Sequence, residues 1–301
     1  MSRFCGIAFG LATHVLFAFT VWHLFWFLKG PLPDDLQAAP LGLGVALGID
    51  TLLALVFAVP HSVFLLPSVR RRLVSAGIPS PFYGCFYCVV TCAVLLLTIF
   101  YWQPTSVVAW RWPAPFNGVV STAFAASWAA LFYSLYLTGL GWQTGWTPWW
   151  HWARGLPQPK RVFVERGAYR FLRHPVYLSF LGLIWFAPLV TLDRVVLIAV
   201  WSTYIFVGSA LKDGRLVHFM GDSYRDYQSR VPGYPGVGFG PLGRVPPRVV
   251  QGNVASILVF GGDRVLTQAR GWAPVPPAPH GEGLGRSVQL PPEAGHHHGA
   301  F

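Results

Sequence analysis

The chain has 301 residues, 53% hydrophobic and only 11% charged, with 14 Trp and 23 Phe. A soluble globular domain carries about 25% charged residues, so the deficit excludes an ordinary soluble domain and points to lipid as the main solvent. The formal net charge of +11 does not argue for nucleic acid, because in so apolar a chain Lys and Arg mark the cytoplasmic loops.

In chain order, residues 5–28 (CGIAFGLATHVLFAFTVWHLFWFL) predict a first span, since about 20 apolar residues cross a bilayer. A short basic start without a small-residue cleavage site argues against a removed signal peptide. A loop over 29–40 holds Pro31, Pro33, Asp34 and Asp35; a second span over 41–66 contains Asp50; a basic loop with Arg70, Arg71 and Arg72 follows. The third span, 82–102, ends in Tyr101 and Trp102. A loop rich in Pro and Trp (103–118) leads to the fourth span, 119–141. Residues 142–174 carry Arg154, Lys160, Arg161, Arg166, Arg170 and Arg173 among several Trp, and read as interfacial and cytosolic. Two apolar runs, 175–191 and 195–211, are parted only by Thr191-Leu192-Asp193-Arg194, which predicts a tight helical hairpin. Residues 212–232 predict an amphipathic helix with Val217, Tyr224 and Tyr227 near one face. From Gly233 to Phe301 the chain is rich in Pro and Gly without sustained periodicity, as in a mobile tail.

The loops at 70–72 and 154–173 and the segment from Lys212 hold most of the positive charge; those at 30–40, 103–118 and 191–194 hold little. Six spans with both termini in the cytoplasm satisfy the positive-inside rule throughout. The expected fold is therefore all-α and polytopic: membrane helices over 1–141, a basic and aromatic region over 142–232, and a tail over 233–301.

Particular residues suggest other functions. Cys85, Cys88 and Cys92 recur at helical spacing, but no His or carboxylate accompanies them and zinc usually takes four ligands. They read as small side chains in a helix interface, and no metal site is predicted. His14, His23, His61 and His174 invite a haem-binding membrane cytochrome, but His14 and His23, nine residues apart, share a helix without forming a clean stacked pair. Asp50 invites a transporter reading, yet internal inverted repeats are missing and a position near the interface accounts for it. His296, His297 and His298 in the tail suit adventitious metal binding.

The densest run of unusual choices is Glu165 to Tyr177. Gly167 permits a turn with positive φ, and Pro175 suits the first turn of a helix, where no N–H is needed. Arg173 and His174 thus stand at a helix N-terminus on the cytoplasmic side, where free N–H groups attract anions and an Arg fork matches a carboxylate. Tyr169 and Tyr177 offer faces to an adenine ring or a cation. Plain juxtamembrane anchoring by basic and aromatic side chains explains the same residues.

The stretch RGAYRFLRHPVYLSFL resembles the signature of membrane methyltransferases related to isoprenylcysteine carboxyl methyltransferase and phospholipid N-methyltransferase. The nearer likeness is to the bacterial branch of NnrU-like proteins and methanethiol S-methyltransferase. IDTLLALVFAVPHSVFLLPSVRRRL, with its His61-Ser62 pair, resembles that branch's second span, and PFYGCFYCVVTCAVLLLTIFYWQP its third. The run from Arg166 to Pro232, including GDSYRDYQSRVP, resembles its catalytic region, and the likeness covers residues 5–235.

The resemblance implies S-adenosyl-L-methionine-dependent methyl transfer at the cytoplasmic face of a bacterial inner membrane. The implied acceptor is a small thiol such as methanethiol, giving dimethyl sulfide. A prenylcysteine or lipid-borne acceptor, or a catalytically degenerate NnrU-like protein, stand as alternatives. By the same resemblance Arg173, His174, Pro175 and Tyr177 line the cofactor pocket, Gly167 and Tyr169 shape its entrance, and Tyr224 and Tyr227 close it. The family's acidic pair after the last span is here Lys212-Asp213, with Lys212 replacing one acid. Asp213 is then expected to orient an Arg or accept a proton, and Arg215, with Arg173, to favour a thiolate. The branch's His-Phe-Asp stretch is replaced by residues 139–145, GLGWQTG.

Overall fold

The computed structural model describes residues 2–30, 36, 41–159 and 164–246. Lys160, Arg161 and the tail from 247 onward, with His296–His298, lie outside the described residues. The chain runs through α1 (Arg3–Lys29), α2 (Leu43–Val63), α3 (Pro67–Ser75), α4 (Tyr83–Tyr101), β1 (Val108–Arg111), α5 (Ala114–Thr138), α6 (Leu140–Gln143) and α7 (Trp146–Ala153). It continues through α8 (Pro175–Trp185), β2 (Leu189–Thr191), α9 (Leu192–Met220) and α10 (Asp222–Arg230). Helices α1, α2, α4 with its leading 3-10 turn, α5 and α9 are long and apolar enough to cross a bilayer. The protein is an integral membrane protein.

Helix α2 packs on α9, α1 on α4, and α5 on α8. The shared core gathers Leu28, Trp128, Leu131, Leu183, Val190, Leu197 and Trp201. Large apolar residues such as Phe4, Val15, Trp22, Val119 and Tyr136 stay exposed on the outside, which suits lipid as solvent. Small residues set the closest approaches. A Cβ on Gly10 would lie 1.9 Å from the Trp149 ring, and one on Gly6 would lie 2.3 Å from Trp152. Those glycines let α7 seat its tryptophans against α1, where Trp149 Nε1 donates to Gly6 O at 2.9 Å. Cys85, Cys88 and Cys92 are buried along α4.

The fifth predicted span is only partly helical. Helix α8 has 11 residues, about 16 Å, against roughly 30 Å of hydrocarbon. Pro188 supplies no N–H and steers Ala187 away from helical angles, so the chain leaves the helix and continues extended, as β2. Its three residues are buried and pair antiparallel with β1. Non-helical backbone at membrane depth is tolerated where protein covers it. Residues 192–194, expected as a tight hairpin turn, are the first turn of α9; the reversal falls at 186–191.

The amphipathic helix expected over 212–232 is two pieces. Helix α9 runs straight on to Met220, and α10 starts after Gly221, whose φ of +60° breaks the axis. Tyr224, Tyr227 and Val231 then fold onto Leu216, Val217 and Met220.

Candidate active site

The site grows from the approach to α8. Gly167 has φ +54° and opens a 3-10 turn, Gly167–Arg170. A Cβ there would meet the Tyr133 hydroxyl at 2.5 Å, so only glycine brings the chain this close to α5. The backbone then descends to Arg173, whose N–H donates to Pro232 O at 2.9 Å. His174 takes the N-cap position of α8 and Pro175 its first turn, where the missing N–H is no loss.

Arg173 and His174 are buried, at 1% and 0% exposure. Asp213 of α9 meets both: its Oδ2 lies 3.0 Å from Arg173 Nη2 and 3.2 Å from His174 Nε2. Its Oδ1 accepts the Tyr224 hydroxyl at 2.6 Å. One carboxylate therefore joins an arginine, an imidazole and a phenol drawn from three segments. Tyr227 donates to Tyr169 O at 2.6 Å and so fastens α10 to the 3-10 turn.

The Arg173 fork, expected to grip a ligand's carboxylate, is engaged within the protein. Besides Asp213 it donates to the carbonyls of Gln228, Pro241 and Gly243 at 3.3, 3.0 and 2.9 Å. Among the described residues, Arg173 Nε and His174 Nδ1 are buried polar atoms without a partner. Against Asp213 opens a cleft of about 340 Å³, lined also by Gly214, Gln228, Gly240 and Pro241 among others.

Residues 233–246, which composition assigns to the tail, form the floor of this cleft. Gly233 and Tyr234 donate to Gly243 O and Leu242 O at 3.3 and 3.0 Å, and Val245 donates to Gln228 O at 3.0 Å. The Tyr234 ring lies 5.4 Å from that of His174. A Cβ on Gly233 would stand 2.5 Å from Leu242 O and 3.1 Å from His174 Cδ2, so glycine is needed where the floor touches the imidazole. The signal for this floor was the closely spaced Gly-x-Pro-Gly at 233–236 and the glycines at 240 and 243, read as punctuation of a tail rather than as tight turns.

Burial pushes the His174 imidazole below its ordinary range, against the opposing pull of the Asp213 carboxylate. Burial, and then the charge of Asp213, raise the Tyr224 phenol; burial raises Tyr227 and brings Tyr234 to about 12. The three phenols are thus neutral hydrogen-bonding groups at ordinary pH.

Tyr169 and Tyr177 face a cation, the Lys212 ammonium, which lies 6.0 and 5.4 Å from their ring centres. The Tyr177 ring is 5.5 Å from that of His174. Gly167, Tyr169, Arg173, His174, Pro175, Tyr177, Asp213, Tyr224 and Tyr227 are therefore brought together. Arg215 is not: two residues beyond Asp213 it points to another side of α9 and donates to Leu65 O at 3.2 Å. His14 and His23 are taken up in packing. His14 Nδ1 lies 2.7 Å from Gly10 O, and the His23 ring sits between Phe19 and Phe100. Among the described residues no group of three or more His, Cys, Asp or Glu is placed to hold a metal.

No family model matches the chain, and neither does any solved structure. Curated relatives do. Methanethiol S-methyltransferase 1 of Bradyrhizobium diazoefficiens is 30% identical over 241 residues, 76% of this chain and 81% of that protein. The methanethiol S-methyltransferase of Mycobacterium tuberculosis is 28% identical over 77% of this chain and 96% of its own. That of a Pseudomonas species is 26% identical over 76% and 89%. At 30% identity over three quarters of this chain and four fifths of the Bradyrhizobium protein, the chain belongs to the methanethiol S-methyltransferase family and is a membrane methyltransferase.

Proposed function

We propose that the protein transfers a methyl group from S-adenosyl-L-methionine to a small thiol, methanethiol in the first instance, at the cytoplasmic face of the membrane. The observation that carries this reading is the Asp213 carboxylate, shared by Arg173, His174 and Tyr224 beside an open cleft. The names of the relatives support the acceptor. The basic loops at 70–72 and 154–173 support the orientation.

The residues present suit the donor. Among the described residues His174 Nδ1 is a buried polar atom with no partner, and the cleft against Asp213 is lined by Asp213 and Gln228, a carboxylate and an amide suited to the donor's amino and hydroxyl groups. The Tyr169 and Tyr177 faces are suited to a cation, the place Lys212 takes here, and a sulfonium would share them in competition with that ammonium. When bound, the donor supplies a methyl carbon on sulfur that is open to in-line displacement. The protein's part is alignment, which in favourable cases contributes about 7–11 kcal/mol. Arg173 acts through Asp213 and the 228–243 floor, holding both in place. Gly167 and Pro175 set the backbone, and Tyr224 and Tyr227 keep α10 closed over the site. A thiol attacks as thiolate, with a free pKa near 8.5 for a Cys-like group, and positive charge favours that form.

Calorimetry with S-adenosyl-L-methionine, and a headspace assay for dimethyl sulfide from cells fed methanethiol, test the reading. Saturable binding with dimethyl sulfide production is expected; no binding by well-folded protein sinks it. Lys212, in the place of a family acid, favours a second reading, a member that binds donor without turnover. Donor affinity with no methylation of any small thiol decides for that one.

A further inference from the structure

Charge is unevenly shared at the Asp213 end of the helix bundle. Between Asp50 and Glu165 the sequence holds no acid, so the described acids at this end, Glu165, Asp213, Asp222 and Asp226, all fall between 165 and 226. Arginines of that half are matched: Arg225 meets Asp222 at 2.7 Å, and Arg230 meets Glu165 and Asp226 at 3.1 and 3.0 Å. The other half is built by the start of α1, by α3 and by the end of α7, and it carries Arg3, Arg70, Arg71, Arg72 and Arg154 with no acid. Its parts form one corner. Arg3 Nη2 donates to Ala153 O at 2.9 Å and joins α1 to α7. The Phe82 ring, just ahead of α4, lies 4.6 Å from Trp152 and 6.1 Å from Phe9. The Arg70 guanidinium stands 5.3 Å from the neighbouring Tyr83 ring, which brings in α3. Leu65, just ahead of α3, accepts from Arg215 of α9, so the corner and Asp213 share one end of the bundle. Arg71, Arg72 and Arg154 are exposed, and among the described residues no acid pairs with them. Helix α3 has no buried residue, and the apolar side chains of Phe4, Leu66 and Trp150 are exposed beside these arginines. A short basic helix with apolar neighbours and little protein over it suits the interfacial zone of a bilayer.

We infer that this corner binds the headgroups of anionic phospholipid; the inference goes beyond the methyl-transfer reading and does not rest on it. Charge complementarity carries it. A guanidinium keeps its charge at any ordinary pH, and its fork takes two phosphate oxygens at once. With no acid in the corner, that charge is compensated only from outside the protein. Phe4, Leu66 and Trp150 supply the apolar and aromatic surface that sits where acyl chains meet headgroups. A zwitterionic lipid offers the same phosphate but brings an ammonium that the arginines repel, so the corner selects for net negative charge. Each basic residue held near an anionic leaflet strengthens the attachment about fivefold.

The test uses purified full-length protein in mild detergent, with dioleoylphosphatidylglycerol and dioleoylphosphatidylcholine as probes and native mass spectrometry to count bound lipid. Wild type is expected to bind the first phosphatidylglycerol at least tenfold more tightly than phosphatidylcholine. Arg71→Gln combined with Arg72→Gln, both exposed and outside the Asp213 site, should weaken phosphatidylglycerol tenfold or more and leave phosphatidylcholine within twofold. Arg71→Lys combined with Arg72→Lys keeps the charge and should retain most of the preference. Arg225→Gln, in the matched half, should change neither affinity by more than twofold. An excess of inorganic phosphate should not displace the bound lipid. Equal wild-type affinity for the two lipids overturns the assignment, as does a preference that survives the double glutamine variant or is lost equally in Arg225→Gln. Displacement by inorganic phosphate also overturns it, in favour of a free anion.

Discussion

Helix α9 carries a buried aspartate near each end, and the two are put to different uses. Asp193, in its first turn, accepts from Trp102 Nε1 at 3.0 Å and from the Thr105 N–H and hydroxyl at 3.1 and 2.9 Å. Nearby Asp50 accepts from the Gln103 N–H at 2.8 Å, and the Arg194 guanidinium donates to Phe27 O. Every partner belongs to the loop after α4 or to the end of α1, so this cluster staples chain ends together. Its spare atoms, Asp50 Oδ2 and Arg194 Nε, belong to opposite charges that act on one another. Asp213, twenty residues on and about 30 Å along the axis, is held by a guanidinium, an imidazole and a phenol, and it lines a cleft. Burial of a carboxylate does not mark a site; the chemistry of its partners and the space beside it do.

The sharpest way to break this contrast is to remove each acid. Asp213→Ala leaves the Arg173 charge buried without its counter-ion, which costs about 3–5 kcal/mol. The variant should melt far below wild type in detergent and bind no donor. Asp193→Asn keeps the shape and loses charge-assisted bonds, a stability loss of about 1.5–3 kcal/mol. Its donor affinity, measured by calorimetry on the folded fraction, should match wild type. Equal damage to donor binding by both variants would erase the distinction between staple and site.

The two ends also differ in how much of them the sequence disclosed. Spans were legible because a bilayer demands about 20 apolar residues in a row, and hydropathy sums that directly. It does not register backbone, so Pro188 and the passage into β2 were hidden inside an apolar run. Arg173, His174 and Asp213 were legible through a local signature, and the pairing of Asp213 with both was not, since 39 residues separate His174 from it. Placing Arg215 with Asp213 neglected helical geometry: neighbours on a helix face are three or four apart, not two. The floor over 233–246 escaped because glycine and proline look alike in a loose tail and in a chain of tight turns.

Acid should separate the ends further. His174 is held neutral by burial, despite Asp213. The unfolded chain therefore takes up a proton near the ordinary imidazole value of about 6.5, while the folded site takes it up only at lower pH. Stability from this group is fully present above about 6.5 and is lost as pH falls below it, by at most about 1.4 kcal/mol per pH unit. Melting temperatures at pH 5 and pH 7 should differ less in His174→Gln than in wild type. The charges acting on the ring are those of Asp213, Arg173 and Lys212. An identical acid response in the variant would locate the sensitive group elsewhere.

The smallest expected effect concerns Lys212, which lies against the two tyrosine faces assigned here to a sulfonium. An ammonium and a sulfonium about 8 Å apart repel by roughly 2 kcal/mol at an effective dielectric of 20. Lys212 is half-buried, so solvent screens part of this and about 1 kcal/mol remains. Lys212→Ala should then bind S-adenosyl-L-methionine about fivefold more tightly in calorimetry, while Lys212→Arg, which keeps the charge, should stay near wild type. Removing the ammonium also relieves one of the charges that depress His174, so the acid sensitivity of Lys212→Ala should shift upward in pH. Weaker donor binding in Lys212→Ala would mean that the lysine holds the donor, through its carboxylate, and that Tyr169 and Tyr177 serve to aim the ammonium rather than to receive the sulfonium.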